Sequence, residues 1–122
     1  MATYAIQIPQ DRLSDERKSA LPGAVRDAHS QVTGAPPDLT QVTVTEISSA
    51  CCWLHGRPLE CDQIFVHGFV AGEAGHPLGP TLRSEVASAV ASAADLEPES
   101  VLVTISEIPA DKMKPADTPR TR

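Results

Sequence analysis

Two residues near the start of the chain could move a proton at neutral pH. The first is Ala2, because removal of Met1 before so small a residue would leave a free α-amine on it. An α-amine titrates near about 7.7 to 8.0, and an apolar pocket would lower that pKa, since desolvation disfavours the ammonium form. Such an amine can shuttle a proton or condense with a carbonyl group. The simpler interpretation is that Ala2 only begins a strand.

The second residue is His29, at the border of an apolar helix face and near the carboxyl end of that helix. A histidine there could bind a carboxylate or tune the α-amine. A structural interpretation is equally open, because the end of a helix favours a protonated histidine through the helix dipole.

A loop in the middle of the chain gathers three cysteines and a histidine, at Cys51, Cys52, His55 and Cys61. Thiolates and imidazoles are zinc ligands, but adjacent cysteines fit one tetrahedral ion poorly and no C-x-x-C pair exists. We therefore predict no metal site and no cofactor, and reduced thiols rather than a disulfide framework. Trp53 should pack this loop against a neighbour.

Apolar periodicity and turn residues predict the order β-α-β-β-α-β. The strands are expected over 4–8, 41–48, 63–70 and 101–108, and residues 49–62 form a connecting loop with room for a small hairpin. The first helix begins after the N-cap Ser14 and ends at Gly34, although Pro22 and Gly23 should bend or weaken it. The second helix has Pro80 in its first turn. Apolar residues at helical spacing should face the sheet, namely Leu21, Ala24, Val25, Ala28 and Val32, then Leu82, Val86, Val90 and Ala93. His67, in the third strand, is predicted to be a satisfied core or interface histidine.

The chain also carries an internal repeat. VTVTEI at 42–47 matches VTISEI at 103–108, an offset of 103 − 42 = 61, which is half of the 122 residues. We predict a single domain over 1–122, with repeats at about 1–61 and 62–122 and a loose tail at about 110–122. A ferredoxin-like split βαβ and a pair of parallel βαβ units share this element order, which alone does not choose between them.

Composition restricts the class of protein. The chain is 41% hydrophobic and only 3% aromatic, so its core must be built from Val, Ile, Leu and Ala, and an oligomer would complete it. The net charge of −6 opposes nucleic-acid binding. No apolar run is long enough to cross a membrane and no signal peptide is visible, so a cytoplasmic location is expected.

Six short segments in one register resemble the cis-3-chloroacrylic acid dehalogenase family of the tautomerase superfamily. They are QDRL at 10–13, DAH at 27–29, TG at 33–34, QV at 41–42, IFVHG at 64–68 and EIPA at 107–110. The match runs without gaps from about residue 2 to about residue 115. It implies an α+β fold of two fused β-α-β units, with a four-stranded mixed sheet and two helices on one face, assembled as a homotrimer.

In that family an amino-terminal proline acts as acid or base, assisted by a histidine, two arginines, a tyrosine and a glutamate. The resemblance places His29 at the histidine position. The other positions hold Ala2 for the proline, Ala71 and Ala74 for the arginines, Thr104 for the tyrosine and Pro115 for the glutamate. By the same resemblance Thr104, Cys51, Cys52 and Trp53 are predicted to face the pocket, and Leu39 is assigned to it with them.

These observations leave two classes of function open. The first is an enol–keto isomerase that acts on a small carbonyl or carboxylate compound through the Ala2 amine and His29, since tautomerisation needs little more than one acid–base group near its pKa. The second is a catalytically silent small-ligand binder, or a partner subunit of a proline-bearing homologue. Haloacrylate hydration is the least expected, because it also needs an anion clamp and an activated water.

Overall fold

Each half of the chain forms a β-α-β unit in the computed structural model, which describes residues 1–58, 62–72 and 79–114. The strands are β1 (Ala2–Pro9), β2 (Thr40–Ile47), β3 (Trp53–Leu54), β4 (Arg57–Pro58), β5 (Ile64–Gly72) and β6 (Val101–Pro109), and the helices are α1 (Asp15–Thr33) and α2 (Gly79–Ala94). The predicted element order is confirmed. The connecting loop does contain a small hairpin, formed by β3 and β4.

The sheet topology decides between the two architectures. The four long strands lie in the order β2-β1-β5-β6, with β1 parallel to β2, β5 parallel to β6, and β1 antiparallel to β5. In a split βαβ arrangement another strand separates the two parallel strands of a unit. Here they are direct neighbours, so the fold is the pair of fused β-α-β units and the ferredoxin-like alternative is excluded.

Local signals set the ends of α1 as predicted. The Ser14 side chain accepts a hydrogen bond from the backbone N–H of Arg17 at 3.2 Å, and Gly34 ends the helix with a φ of 76°. That left-handed conformation favours glycine, because it carries no Cβ. The helix runs without interruption across Pro22, so this proline does not end it, although its missing N–H removes one helical hydrogen bond.

The core lies between one face of the sheet and the two helices, which also pack against each other. Alternate residues of β1 and β5 point into it, as the period of two in a strand requires. The side chains that α2 buries are all aliphatic: Leu82, Val86, Val90, Ala91 and Ala94. The helix α1 contributes Leu21, Val25 and Ala28, and in addition the polar side chain of His29.

Some sequence predictions concern parts of the chain that are only partly described. Residues 110–112 of the predicted loose tail form a short 3-10 turn, and 115–122 lie outside the described residues. The single-domain assignment with repeats at about 1–61 and 62–122 stays a prediction. Neither of the two helices described is long and apolar enough to cross a membrane.

Gly68 makes room for the one aromatic ring that β1 places in the core. Gly68 on β5 is the register partner of Tyr4 on β1. A Cβ atom added at Gly68 would lie 2.6 Å from Cε1 and 2.8 Å from Cδ1 of the Tyr4 ring. Since Tyr4 is buried, with 1% of its surface exposed, the ring has no free space to retreat into. The missing side chain at Gly68 is therefore a requirement of the Tyr4 position.

We predict that Gly68→Ala destabilises the protein by about 1–3 kcal/mol, because overpacking a closed core outweighs the smaller gain from a less flexible unfolded chain. Gly23→Ala is the matched control: its Cβ would meet only the end of the Arg26 side chain at 3.6 Å, and alanine in a helix interior should stabilise by up to about 1 kcal/mol. Urea unfolding of both variants measures the difference. Equal stabilities would contradict the packing argument.

Candidate functional site

A buried hydrogen bond joins β1 to α1 at the centre of the candidate site. The Tyr4 hydroxyl lies 2.8 Å from Nδ1 of His29, and the two rings meet edge to face with centroids 5.6 Å apart. Only 2% of the His29 surface is exposed. Burial of a polar group is costly unless it is hydrogen-bonded, so each ring satisfies the other. Sequence reasoning missed Tyr4, whose signal was its position two residues after Ala2 on the same strand face.

The surroundings shift the pKa of both rings. The pKa of His29 lies below its ordinary value, mainly because burial disfavours the imidazolium, and secondly because of the positive charge of the chain's amino terminus. Burial raises the pKa of the Tyr4 phenol well above its ordinary range. At neutral pH both groups are therefore uncharged. The second cause also puts the amino terminus within electrostatic range of His29.

Backbone pairing fixes the position of Ala2. It is fully buried, and its register partners are Thr40 on β2 and Val70 on β5. One residue earlier, the Met1 carbonyl accepts a hydrogen bond from the Ala71 N–H at 3.0 Å. Ala2 and Tyr4 share the core-facing side of β1, and the carboxyl-terminal turns of α1 lie over this end of the sheet. The structure thus brings Ala2 and His29, the two predicted catalytic residues, to one corner of the core.

Two hydroxyl groups near this corner are buried without a hydrogen-bond partner. They belong to Thr40, beside Ala2, and to Ser30, which follows His29 on α1. Neither was singled out from the sequence, because nothing in the composition marks a threonine as unpartnered. Leu39, the residue before Thr40, is 49% exposed. It lies at this end of β2, and its assignment to the pocket stays a prediction.

Thr104 lies on the other side of the sheet. It is exposed on β6, between Val103 and Ile105, which face the helices, and its hydroxyl lies 2.6 Å from Nδ1 of His67. The prediction for His67 was a satisfied histidine, and this hydrogen bond provides a partner. Within one chain, however, Thr104 cannot share a pocket with His29, because the sheet separates them.

The predicted ligand-facing residues of the loop lie at the opposite end of the sheet. β2 begins beside Ala2 and ends at Ile47, about 23 Å further on at about 3.3 Å per residue. Cys52 lies past that end, in a narrow crevice with Pro9, Ile47 and Phe65 among its lining residues. Cys51 is exposed, and so is Trp53, whose indole N–H donates to the Ala50 carbonyl. Their role as ligand contacts stays a prediction, and it would need a second copy of the chain.

Metal ligation finds no support in the described ranges. Within residues 1–58, 62–72 and 79–114, no group of three or more His, Cys, Asp or Glu side chains could hold a metal ion. Cys61 lies outside these ranges, so the loop cluster is only partly described. The two thiols that are described, Cys51 and Cys52, are free.

Comparison with known structures supports the predicted fold. No protein-family model matches the chain, and no protein of curated function matches it. Among solved structures, N1, a member of the cis-3-chloroacrylic acid dehalogenase family, is 25% identical with a TM-score of 0.84 over 93% of this chain and 79% of its own. A fused 4-OT described as a symmetric trimer is also 25% identical, with a TM-score of 0.81 over 94% of this chain and 92% of its own. Pt0534, in a structure inactivated by 2-oxo-3-pentynoate, is 18% identical with a TM-score of 0.82, which concerns the fold alone.

The resemblance to the tautomerase superfamily, and to the cis-3-chloroacrylic acid dehalogenase family within it, is thereby confirmed over most of the chain. The α+β fold, with a four-stranded mixed sheet and two helices, is confirmed with it. No assembly with other copies follows from the single chain.

We predict that the stability of the protein falls as the pH drops below about 6.5, the ordinary pKa of histidine. In the folded state His29 resists protonation, so the unfolded state binds more protons between the lowered folded pKa and about 6.5, and stability rises with pH through that window. His29→Asn, which keeps a polar atom for Tyr4, should flatten this dependence. Urea unfolding from about pH 4.5 to about pH 8 measures it.

His67→Asn serves as the matched control, since it removes a histidine from the exposed face of the same sheet. If both variants change the slope of stability against pH equally, His29 is not the group responsible for the pH dependence.

Proposed function

We propose that the protein is an enol–keto isomerase in which the α-amine of Ala2, released by removal of Met1, is the acid–base group and His29 is its neutral neighbour. The observation that carries the proposal is the shared corner: an uncharged, almost fully buried imidazole whose pKa responds to the charge of the amino terminus. Enol–keto exchange requires one proton to be moved between carbon and oxygen. A single amine near its pKa is sufficient for this.

In the proposed reaction, the amine of one residue, Ala2, both donates and recovers a proton. In the ketonisation direction, the Ala2 ammonium donates its proton to the enol carbon, and the C=C electron pair forms the new C–H bond. The hydroxyl proton leaves as the O–H pair closes the carbonyl, and the neutral amine takes it up directly or through His29. The site returns to its starting charge after each turnover.

The environment of Ala2 favours this use of the amine. Ala2 lies on the core-facing side of β1, so removal of Met1 would place the free amine at the edge of the apolar core, close to His29. The Tyr4 phenol keeps its proton and can donate it to Nδ1 of His29, which then carries its own proton on Nε2. The hydrogen bond holds His29 in one orientation, and it selects the Nε2-protonated tautomer when the phenol is the donor.

We further propose a homotrimer. The sheet face opposite the helices exposes Phe69 (47%) and Leu102 (52%) beside the His67–Thr104 pair, and burial of these side chains favours association. A neighbouring copy is also the means by which Thr104, or Cys52 and Trp53, would approach a His29 pocket. Similar structures of fused 4-OT proteins are described as trimers, both symmetric and asymmetric.

The alternative function is a catalytically silent ligand binder or partner subunit. It is favoured by the alanines at positions 71 and 74, where the resemblance implies arginines, and by the closed state of the Ala2 corner when Met1 is present. A predicted cytoplasmic location and a small carbonyl or carboxylate ligand fit both functions.

We expect the protein with Met1 removed, verified by intact mass, to ketonise an aryl enolpyruvate or its methyl ester faster than buffer does. A Met-Gly-Ser extension before Ala2 should return the rate to the buffer level, because the amine is displaced. Ala2→Pro should raise the rate, since a secondary amine is the group that the family resemblance implies. Loss of ultraviolet absorbance by the enol measures each rate. Equal rates for the excised and the extended proteins, both folded by circular dichroism, would exclude the amine as the working group.

We expect sedimentation equilibrium to give three times the chain mass for the wild type and a lower mass for Leu102→Asp, which places a charge on the proposed interface. Ser88→Asp, on the exposed side of α2, is the matched control and should leave the trimer intact. A wild type that sediments as a monomer at all concentrations would overturn the proposed assembly.

A further inference from the structure

The unpartnered hydroxyl of Thr40 is the starting point of this inference. Its Oγ1 atom is buried and makes no hydrogen bond, although buried polar groups in folded proteins nearly always have a partner. A threonine could avoid the problem by becoming valine, which has the same shape and no hydroxyl. A buried hydroxyl without a partner destabilises the free protein, so it is a candidate to form a hydrogen bond with a bound ligand.

The position of Thr40 gives that hydroxyl a specific neighbour. Thr40 and Ala2 are register partners on the parallel strands β2 and β1, so their side chains lie next to each other on the same face of the sheet. A second unpartnered hydroxyl, on Ser30, follows His29 in the adjoining turn of α1. Apart from the Tyr4–His29 pair, the core is aliphatic, and this corner adds hydrogen-bonding groups without partners.

The charges at the corner indicate what kind of molecule would use them. The side chains flanking Ala2 belong to Thr40 and Val70, and the pKa shifts keep Tyr4 and His29 uncharged. Arg26, the basic residue nearest to His29 along α1, is exposed and bonds to Asp27 at 3.1 Å. Among the described residues, this corner offers a carboxylate no side-chain cation, only the α-amine itself, whereas an uncharged carbonyl group can use the unpartnered hydroxyls without giving up the solvation of a charge.

We propose that the site binds an uncharged carbonyl compound, an aldehyde, ketone or ester rather than a carboxylate, whose carbonyl oxygen accepts a hydrogen bond from the Thr40 hydroxyl. This inference rests on the proposed amine at Ala2 and specifies its substrate. The hydroxyl polarises the carbonyl and stabilises the negative charge that develops on the oxygen, while the amine acts at the neighbouring carbon. Removal of Met1, which is adjacent to Ala2, opens the corner to the substrate.

The kinetic test compares an aryl enolpyruvate with its methyl ester, which has the same enol group but no negative charge. With the excised wild type, we expect kcat/KM to be at least about tenfold higher for the ester. Thr40→Val should lower the ester value about tenfold or more, since removal of one oriented donor can lower a rate by up to about 100–1,000-fold. Thr40→Ser, which keeps the hydroxyl, should retain most of the wild-type value. Thr45→Val, the same change on the exposed face of β2, should have no effect.

A stability measurement separates substrate binding from a structural role. Because the Thr40 hydroxyl has no partner in the free protein, Thr40→Val should leave the melting temperature unchanged or raise it. A lower melting temperature together with lost activity would assign Thr40 to structure and overturn the proposal. A carboxylate preferred over its ester, or an unchanged rate in Thr40→Val, would overturn it as well.

A covalent trap makes the outcome independent of isomerase activity. The α-amine condenses with an aldehyde, releasing water, and borohydride adds hydride to the imine carbon to give a stable secondary amine, detected on the amino-terminal peptide by mass. We expect faster trapping of benzaldehyde than of 4-carboxybenzaldehyde, and slower trapping in Thr40→Val. If this pattern holds while both enols ketonise at the buffer rate, the binding site stands and the isomerase function falls. If the two aldehydes are trapped equally fast while ketonisation exceeds the buffer rate, the isomerase function stands and the proposed carbonyl site falls.

Discussion

The hydrogen bond between Tyr4 and His29 connects β1, one of the two central strands of the sheet, to the first helix across twenty-five residues of sequence. Much of the surrounding structure is arranged to permit it. Gly68 on the next strand leaves space for the phenol ring, and the aliphatic side chains around both rings keep water away. A polar pair in such a core is tolerated only because each member satisfies the other. The same burial keeps the His29 imidazole uncharged near the amino terminus of the chain.

The sequence was most informative where one residue acts on its own surroundings. Ser14 and Gly34 set the ends of α1, and the period of two in the strands identified their core-facing residues. These signals depend only on neighbouring residues, so they can be recognised without knowledge of the fold. The strand β1 extends beyond its predicted bounds at both ends, and β5 extends beyond its predicted carboxyl end, because Ala2 and Gly72 are held by strand pairing rather than by their own preferences.

The candidate site was harder to assemble from sequence, because its members meet only in three dimensions. Ala2 and His29 were found through the chemistry of their side chain or amine, but Tyr4 and Thr40 became visible only when pairing registers and buried atoms were known. Thr104, Cys52 and Trp53 were grouped with them by resemblance. The alternation of strand faces puts Thr104 on the far side of the sheet, and the direction of β2 carries Cys52 to its far end. When residues from different copies of a chain form one site, their spacing along a single chain does not indicate that they lie close together.

The purely aliphatic buried surface of α2 has a consequence for how such a protein can change over evolution. Its leucine, valines and alanines pack against the core without needing hydrogen-bond partners. The second half of the molecule can therefore support the fold by apolar packing alone. Among the described residues, the buried polar groups are concentrated in the first half, around His29 and Tyr4. Substitutions that alter the chemistry can therefore accumulate in one β-α-β unit while the packing of the other unit keeps the protein folded. A protein built from identical copies of one unfused β-α-β unit cannot separate these two roles, because each substitution appears in every copy.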